Sequence, residues 1–518
     1  MKTFKKFKLN LFAVMLFIFT ASIQMLKAQE SISMIRSVPE LYSELNETQQ
    51  GIYDDLLEIT GADTLYLVQV GVLNNDPLYK NGEVNIILPF LSFDTLTYWV
   101  NFIEYETEDD YRWGGNIKEP YFFTDTIRDT ATNFCSSGGL TLVSIDGRKY
   151  GTFSAESHRY VIKDLTDGVQ VIIEQAVLPS ERLECGNKEV SPEPEPYSSS
   201  TDPCIGHTLR VLVFYSNLAA EPFSGSDPEA VALQGLTQLQ STLQNSLIFS
   251  QNNNIFLAGV QDLYFVENPS DVVDDVRRFS NNSTVISERA AHDADLCILL
   301  TNAGYNGGYY DDEYGRARKI GPEFDSAFAI VEINHAAVEG EYIFTHAIGH
   351  LFGARHDLNH ENGDDTDYSH GYTLTGANHI LEGEHDYYRD MMGKPNHDNN
   401  NEPAYNGDTY GNEPRIPCFS NPDNEWLGSY PTGADPYENN YLKITNTMDR
   451  VVDFYTEYLG GLEVEIDLEP FNACDEYIEG TANVTCGSDG NDEYQWYVGN
   501  NGIAYTILTG ETSPFVSY

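Results

Sequence analysis

The sequence predicts a mixed α/β domain over residues 204–459, preceded by a β-rich region and followed by a second, shorter β-rich region. Three observations support this organisation. The chain has 518 residues, which is more than one hydrophobic core can organise. A segment of alternating proline and glutamate separates two regions of different pattern. Strand and helix patterns alternate only after that segment, and such alternation is typical of helices packed on a sheet.

The first residues and the overall charge indicate the compartment and the partners. Four lysines precede a short apolar run at residues 11–19, and small residues follow up to Ala28, which predicts a signal peptide over residues 1–28 and a secreted protein. The apolar run is too short to span a bilayer, so we expect no membrane span. The formal net charge is −51, and such a surface repels phosphate, which excludes nucleic acid as a partner.

Residues 29–186 are predicted to consist mostly of β-strands. Clusters of β-branched and apolar residues occur at residues 65–72, 84–88 and 169–174. Asp146-Gly147 and Asp167-Gly168 are residue pairs that tight hairpin turns favour. Residues 187–203, rich in proline, glutamate and serine, then predict an extended linker that proteases can cut.

The mixed domain is predicted from a regular succession of strands and helices. Its first strand covers residues 209–215, and Asp227-Pro228 then supplies an N-cap and a first-turn proline for a helix. This helix carries leucines at helical spacing, namely Leu233, Leu236, Leu239, Leu243 and Leu247. Further strands are expected at residues 255–265, 295–300 and 326–331, which together imply a mixed sheet.

Residues 460–518 return to a β pattern. Residues 462–468 alternate strictly, and Cys474 and Cys486 are placed to staple a hairpin. Residues 494–498 resemble the central strand of an immunoglobulin-like β-sandwich. Because a complete sandwich needs roughly 100 residues, we expect the start of such a module, truncated.

Three histidines are spaced as ligands of one metal ion. His346 and His350 lie four residues apart, so a helix projects both imidazoles from one face. Gly353 can adopt the backbone conformation that ends a helix, and His356 then returns as a third ligand. Three nitrogen ligands leave the fourth tetrahedral position of zinc open to water. Chance produces this spacing in roughly 5 of 10,000 chains of this composition, which argues against unrelated surface histidines.

Residues 344–357 resemble the metzincin signature, and Asp357 after the third histidine makes them most similar to the adamalysin/reprolysin branch. The resemblance covers roughly residues 204–459. It implies a metzincin-type catalytic domain with an active-site helix, and a zinc-dependent endopeptidase acting on protein or peptide substrates.

The resemblance also implies roles for residues around the signature. Met392 corresponds to the methionine turn beneath the zinc, and residues 415–422 to the wall of the pocket just past the scissile bond. Residues 326–331 correspond to an edge strand that pairs with an extended substrate. The substrate-strand candidates are Ser326, Ala327, Phe328 and Ala329.

Ala347 departs from the family pattern. The resemblance places a glutamate there, which takes a proton from the zinc-bound water and passes it to the leaving amine. A methyl group cannot do this, so we expect zinc binding with extremely slow cleavage. Two explanations stay open: a deliberate exchange of the kind made to prevent self-digestion, which we favour, and a natural inactive enzyme. Glu341 lies six residues away, about 120° off the direction of Ala347 on a helix, and offers no substitute.

The amino-terminal β region resembles reprolysin-type propeptides, chiefly at residues 139–144, 151–153 and 160–162. The resemblance implies an inhibitory propeptide, in which a cysteine often fills the open zinc position. Cys185 is the candidate for this role, because a thiolate is a good zinc ligand. A disulfide between Cys135 and Cys185 is the equal alternative, since the seven cysteines of the chain permit either.

The sequence leaves two alternatives beside the zinc endopeptidase, one for the bound ion and one for the function. The acidic loop at residues 359–367 makes calcium a second candidate ion, but it lacks a twelve-residue calcium-loop spacing, so a solvated loop is favoured. The alternative function is a natural noncatalytic zinc-bearing protein that binds or adheres through its carboxyl-terminal sandwich.

Overall fold

The fold was analysed in a computed structural model of the chain. The structure describes residues 32–37, 42–60, 65–70, 83–87, 96–105, 110–117, 134–135, 138–155, 158–175, 208–220, 227–248, 254–305, 314–321, 323–358, 368–374, 388–394, 415–426, 430–434, 436–455, 463–468, 479–486, 497–499, 505–507 and 515–517. The predicted signal peptide, the predicted linker and Cys185 lie outside these residues, so the predictions made for them stay predictions.

The amino-terminal region is a closed sheet with one helix. Its strands are β1 (Ile32–Ser37), β2 (Tyr66–Val70), β3 (Glu83–Ile87), β4 (Leu96–Tyr105), β5 (Tyr111–Ile117), β6 (Phe134–Cys135), β7 (Gly139–Ile145), β8 (Arg148–Ala155), β9 (His158–Asp164) and β10 (Gln170–Gln175). All except β6 form a barrel in the order β1-β2-β10-β9-β8-β7-β5-β4-β3. Neighbouring strands run antiparallel except β1 and β3, whose parallel pairing closes the barrel. The predicted β-rich character is confirmed.

Local sequence explains one hairpin turn of the barrel and the packing of its helix. Asp146 and Gly147 join β7 to β8 with φ values of 50° and 75°, as a tight hairpin turn with two left-handed residues requires. Helix α1 (Glu47–Thr60) buries Leu56 in a cluster with Leu165 and Val171 of the barrel. The barrel and α1 therefore share a hydrophobic core.

The second region contains the predicted mixed sheet. Its strands are β11 (Thr208–Ser216), β12 (Asn254–Leu263), β13 (Leu296–Thr301), β14 (Gly315–Ala317) and β15 (Phe328–Glu332), in the order β12-β11-β13-β15-β14. Four strands are parallel, and β14 runs antiparallel to β15. The helices are α2 (Pro228–Asn245), α3 (Val272–Ser280), α4 (Ser283–Ala291), α5 (Ile343–Leu351) and α6 (Asn440–Val452).

Strand β11 shows how the sheet separates two cores. Val211 and Val213 are buried in a cluster with residues of α2, α5 and α6, whereas Leu212 and Phe214 are buried with residues of α3. On that second face, Phe214 packs edge-on against Phe279 with ring centroids 5.6 Å apart. Because side chains of a strand alternate, helices can cover both faces of the sheet.

The predicted start of α2 is confirmed, but its end is not. Asp227 caps the helix, with Oδ1 accepting hydrogen bonds from the backbone N–H of Glu229 (3.0 Å) and Ala230 (3.4 Å). The helix ends at Asn245, so Leu247 lies beyond it with a φ of 66°.

The structure corrects the assignment of the edge strand. Ser326 belongs to a 3₁₀ turn, and Phe328 and Ala329 belong to β15, which pairs on both sides with β13 and β14. Among the described strands, the edge on this side is β14. Phe328 and Ala329 therefore cannot pair with a substrate strand, because their backbone groups face strands of the sheet itself, and Ser326 and Ala327 precede the strand. Strand β14 has only three residues, and so short a strand cannot be recognised from the sequence pattern.

Short strands complete the described structure. They are β16 (Thr373–Leu374), β17 (Tyr388–Arg389), β18 (Glu425–Trp426) and β19 (Tyr430–Pro431), followed by β20 (Glu463–Leu468), β21 (Glu479–Cys486), β22 (Tyr497–Gly499), β23 (Tyr505–Ile507) and β24 (Phe515–Ser517). The last five form a sheet β20-β21-β24 and a pair β22-β23, and the immunoglobulin-like character of this region stays a prediction. In the described part of the chain, no helix is long and apolar enough to cross a bilayer.

The barrel lies against the mixed domain through α2 and the segment before α5. Asn116 and Asn245 exchange side-chain hydrogen bonds of 2.9 and 3.1 Å between β5 and α2. A Cβ at Gly114 would stand 2.6 Å from Ser241 Oγ, so the glycine allows this close approach. Arg159 of β9 forms an ion pair of 3.2 Å with Glu341, two residues before α5. The barrel thus contacts the segment that precedes the three-histidine helix.

Candidate metal centre

Helix α5 presents two of the three histidines. It begins after Tyr342, whose φ of 52° is left-handed, and all of its residues are buried. It ends at Leu351, and the predicted left-handed glycine follows at Gly353, whose φ of 96° is accessible to glycine at little cost. The N–H of Gly353 donates to the carbonyl of His350 at 2.9 Å, and the chain then turns back toward the helix.

The structure brings the three predicted histidines together. The Nε2 atom of His356 lies 3.1 Å from Nε2 of His350 and 3.3 Å from Nε2 of His346. All three side chains are buried, and their ligand atoms lie within 4.8 Å of one another. In the described part of the chain, this is the one group of histidine, cysteine and acidic side chains that could hold a metal ion.

The hydrogen bond at Nδ1 of a histidine determines whether its Nε2 is available to a metal. Nδ1 of His346 lies 2.9 Å from the carbonyl of Met391, and Nδ1 of His350 lies 2.8 Å from the carbonyl of Ala354. A carbonyl can only accept, so each Nδ1 carries the proton and each Nε2 presents a lone pair. The lone pairs of His346 and His350 therefore both face Nε2 of His356. The donor set therefore fits zinc, which binds imidazole nitrogens in tetrahedral sites.

Electrostatics keeps the three imidazoles neutral. Burial is the largest cause that lowers the pKa of each, to about 3 for His350. The charge of Arg415 lowers all three pKa values further, and the charge of Lys394 adds to this for His350 and His356. Neutral imidazole is the form that binds a metal, so the site is ready for one at neutral pH.

Met392, predicted to lie beneath the zinc, is buried in a turn next to the helix. Asp390 Oδ1 accepts hydrogen bonds from the N–H groups of Met392 (3.0 Å) and Gly393, which holds the turn closed. A Cβ at Gly349 would stand 2.8 Å from both Met392 Sδ and Phe419 Cε1. The turn therefore packs directly against α5, between its two histidines.

The segment around residues 415–420 is joined to this turn. Ile416 donates to the carbonyl of Arg389 at 2.9 Å, and Met391 donates to the carbonyl of Cys418 at 2.7 Å. Arg389 and Arg415 form an isolated parallel bridge, and both side chains are buried. Neither arginine was identified from the sequence, because nothing in the local pattern marks a buried cation.

A second residue that sequence reasoning missed is His370. Its Nδ1 lies 2.9 Å from the carbonyl of His356, and the side chain is buried. This contact holds the backbone of the third histidine. The two histidines are 14 residues apart in the sequence, and no spacing rule predicts a contact between them.

Comparison with known proteins supports the assignment of this region. Residues 209–387 match the family model Reprolysin_5, described as metallo-peptidase family M12. These residues form a reprolysin-like domain.

Known proteins share only part of the length of the whole chain. Two proteins of Stenotrophomonas maltophilia called peptidyl-Asp metalloendopeptidase are 29% identical over 48% of this chain and 32% identical over 33% of it. The chain spans 52% and 39% of their lengths. Metalloproteinase-II from Bacteroides fragilis is similar at 14% identity, with a TM-score of 0.33, over 54% of this chain and 82% of that one.

Ala347 lies in the reprolysin-like domain between the two helical histidines. Its side chain is buried, and it packs in the core shared by α2, α5 and α6. Glu341 accepts from Arg159 and lies 2.8 Å from Nδ1 of His335. Burial alone raises the pKa of Glu341, but the charges of His335 and Arg159 bring it below the ordinary value. This carboxylate is thus engaged with Arg159 and His335.

Cys297 and Cys418 have different states. Cys297 is a free thiol buried in β13, and burial raises its pKa to about 12, so it is inert. Cys418 is disulfide-bonded. The choice between a Cys135–Cys185 disulfide and a zinc-bound Cys185 stays open, because Cys185 lies outside the described residues.

Proposed function

We propose that the reprolysin-like domain is a zinc-dependent metalloendopeptidase domain, with zinc held by His346, His350 and His356. The observation that carries this proposal is the convergence of three buried Nε2 atoms, two of them with Nδ1 held by a carbonyl. When bound, zinc polarises a carbonyl and makes water nucleophilic at neutral pH. The protein's part is to orient the imidazoles, keep them neutral and exclude other ligands.

Ala347 sets the activity of the chain as written. It follows His346 on α5, at the position where the metzincin signature has its glutamate. A methyl group neither accepts nor donates a proton, so we propose that this chain binds metal and peptide but cleaves very slowly. A positioned general base contributes roughly 10²–10⁴-fold to rate.

We also propose the substrate class and the role of the barrel. The Stenotrophomonas maltophilia relatives are called peptidyl-Asp metalloendopeptidases, which supports cleavage next to aspartate. Residues 29–186 would be an inhibitory propeptide of a secreted zymogen, released by a cut within residues 187–203. The ion pair between Arg159 and Glu341, next to α5, supports such a contact.

The experiment restores the glutamate. Ala347→Glu should cleave an aspartate-containing peptide at least about 100-fold faster than the unchanged chain, once a protease has cut residues 187–203. Ala347→Gln is the matched control, because glutamine has the same shape but cannot take the proton. All three proteins should bind equal amounts of zinc.

The outcome also tests the alternative function. Ala347 itself favours a noncatalytic zinc-bearing binding or adhesion protein. If folded, zinc-loaded Ala347→Glu is as inactive as Ala347→Gln on every peptide, the peptidase proposal is wrong and the noncatalytic protein is favoured.

A further inference from the structure

Asp390 is a fully buried carboxyl group close to the three-histidine cluster but not a member of it. It follows β17 directly, and none of its surface is exposed to solvent. A carboxyl group is costly to bury unless hydrogen bonds compensate it, so a buried aspartate calls for a specific reason. The hydrogen bonds that Asp390 accepts supply that reason.

One oxygen of Asp390 accepts hydrogen bonds from two successive backbone groups. Its Oδ1 receives the N–H of Met392 at 3.0 Å and also that of Gly393. An aspartate that bonds the backbone two residues further along holds the chain in a turn. Oδ2 is buried and has no hydrogen-bond partner among the described residues. The carboxyl group therefore acts through Oδ1.

The peptide unit between Met391 and Met392 connects Asp390 to the first histidine of the cluster. The carbonyl of Met391 and the N–H of Met392 belong to this one planar unit and point in opposite directions. The N–H donates to Asp390, and the carbonyl lies 2.9 Å from Nδ1 of His346. Because the unit is rigid, an oxygen that fixes the N–H also fixes the direction of the carbonyl.

The same hydrogen bond also strengthens the contact at His346. Hydrogen bonds in a chain polarise one another, so an acceptor at the N–H makes the carbonyl a better acceptor for the proton on Nδ1. A stronger bond at Nδ1 raises the basicity of Nε2, the nitrogen available to a metal. Asp390 thus influences both the orientation of the imidazole and its strength as a ligand.

The backbone of Asp390 is itself fixed by the segment that contains His370. The N–H of Asp390 donates to the carbonyl of Tyr372 at 2.9 Å. A Cβ at Gly371 would stand 3.0 Å from Oδ1 of Asp390 and 2.8 Å from the carbonyl carbon of Met392, so the glycine lets this segment lie directly on the turn. Oδ1 therefore has little freedom to leave the two N–H groups.

We infer that Asp390 is a positioning residue for the zinc ligand His346 and acts through the peptide unit between Met391 and Met392. It touches neither the metal nor a substrate. The inference rests on the proposed zinc ligands and concerns metal binding, so it applies to the chain as written, with alanine at position 347.

The test measures the zinc affinity of the full chain by competition with a chelating dye at pH 7. Asp390→Ala should weaken zinc binding about 10–100-fold, the usual effect of losing a group that orients a ligand. Asp390→Asn should bind zinc as the unchanged chain does, because its amide oxygen replaces Oδ1 and its nitrogen lies where Oδ2 has no described partner. Asp390→Ser should lie between the two, since a hydroxyl holds such a turn more weakly.

Cobalt(II) bound in place of zinc gives a second readout. Its visible absorption depends on the geometry of its ligands, which is diagnostic for transition metals. Asp390→Ala should therefore shift the absorption bands, whereas Asp390→Asn should leave them in place.

Val276→Ala is the matched control for a loss of stability alone. Val276 is buried on α3, in the core on the face of the sheet opposite α5. This variant should have a lower melting temperature but unchanged zinc affinity and cobalt bands, because its cavity lies away from the histidines. All variants are compared at a temperature below the melting transition of the least stable one.

Equal zinc affinity in Asp390→Ala and the unchanged chain would overturn the inference. So would an Asp390→Asn variant that binds zinc as weakly as Asp390→Ala, because the amide oxygen keeps the bond to the peptide unit. If Asp390→Ala does not fold, an Asp390→Ser variant that binds zinc as tightly as the unchanged chain overturns it instead. If the unchanged chain binds no zinc, the proposed ligand set fails, and the inference fails with it.

Discussion

Two backbone carbonyls and a neighbouring histidine hold the three clustered histidines in place. The carbonyls of Met391 and Ala354 hold the Nδ1 protons of His346 and His350, and His370 holds the backbone of His356. Such outer contacts orient the ligands, and losing one typically weakens metal binding by about 10–100-fold. Losing a ligand itself must have a larger effect.

His356→Ala should therefore weaken zinc binding by more than about 100-fold, because only two imidazoles remain to hold the ion. The measurement is a competition titration of zinc against a chelating dye at pH 7. His292→Ala is the control, since His292 is a partly exposed residue at the end of α4. Equal zinc affinity in His356→Ala and the unchanged chain would exclude His356 as a ligand.

Helix α5 packs tightly against the turn that contains Met392. Gly349 lies on the helix face that covers Met392 and Phe419, and both are buried. Alanine is normally the better helix residue by roughly 1 kcal/mol. Here its methyl group would collide with two side chains, and overpacking costs about 1–3 kcal/mol.

Gly349→Ala should thus lower the free energy of unfolding and displace Met392 from its contact with α5. Gly51→Ala provides the matched comparison, because Gly51 lies in helix α1 and a Cβ there would meet nothing within 4 Å. That substitution should raise stability by up to about 1 kcal/mol. Calorimetry of the full chain measures both, and a stabilising Gly349→Ala would show that the turn gives way easily.

Local patterns were enough to predict many elements. The cap at Asp227, the left-handed glycine at Gly353 after α5 and the convergence of the three histidines follow from spacings within about 15 residues. The mixed sheet followed from the order of strands and helices. These features depend on neighbours in sequence, which a single sequence displays.

Features that depend on distant contacts could not be predicted. Arg415 contacts Glu341, which is 74 residues away in the sequence, and His370 contacts His356, which is 14 residues away. The edge position was assigned to residues 326–331, because β14 has only three residues and carries no strand pattern. Long-range pairing decides which strand is central, and a single sequence does not contain that information.

At the scale of the whole molecule, two ion pairs between described residues join the barrel to the reprolysin-like domain. Arg159 and Glu341 have side chains 9% and 1% exposed, whereas Arg148 and Asp227, 3.0 Å apart, are 43% and 20% exposed. Removing one partner of a buried pair leaves an uncompensated charge and costs about 3–5 kcal/mol. Exposed pairs contribute about 0–1 kcal/mol.

Arg159→Ala should accordingly destabilise the attachment of the barrel far more than Arg148→Ala. Once the linker is cut, the barrel of the Arg159 variant should separate from the rest of the chain at a lower urea concentration. Size-exclusion chromatography at increasing urea measures this separation. Identical behaviour of the two variants would show that the Glu341 pair does not hold the barrel.

Zinc K-edge X-ray absorption on the full chain tests the central claim most directly. We expect one zinc per chain, with three imidazole nitrogens at about 2.0–2.1 Å and a fourth ligand. A fourth ligand that is sulfur at about 2.3 Å would identify Cys185 as the propeptide plug, whereas oxygen would leave Cys185 to a disulfide. Zinc that is absent, or bound by fewer than three imidazoles, would contradict the account.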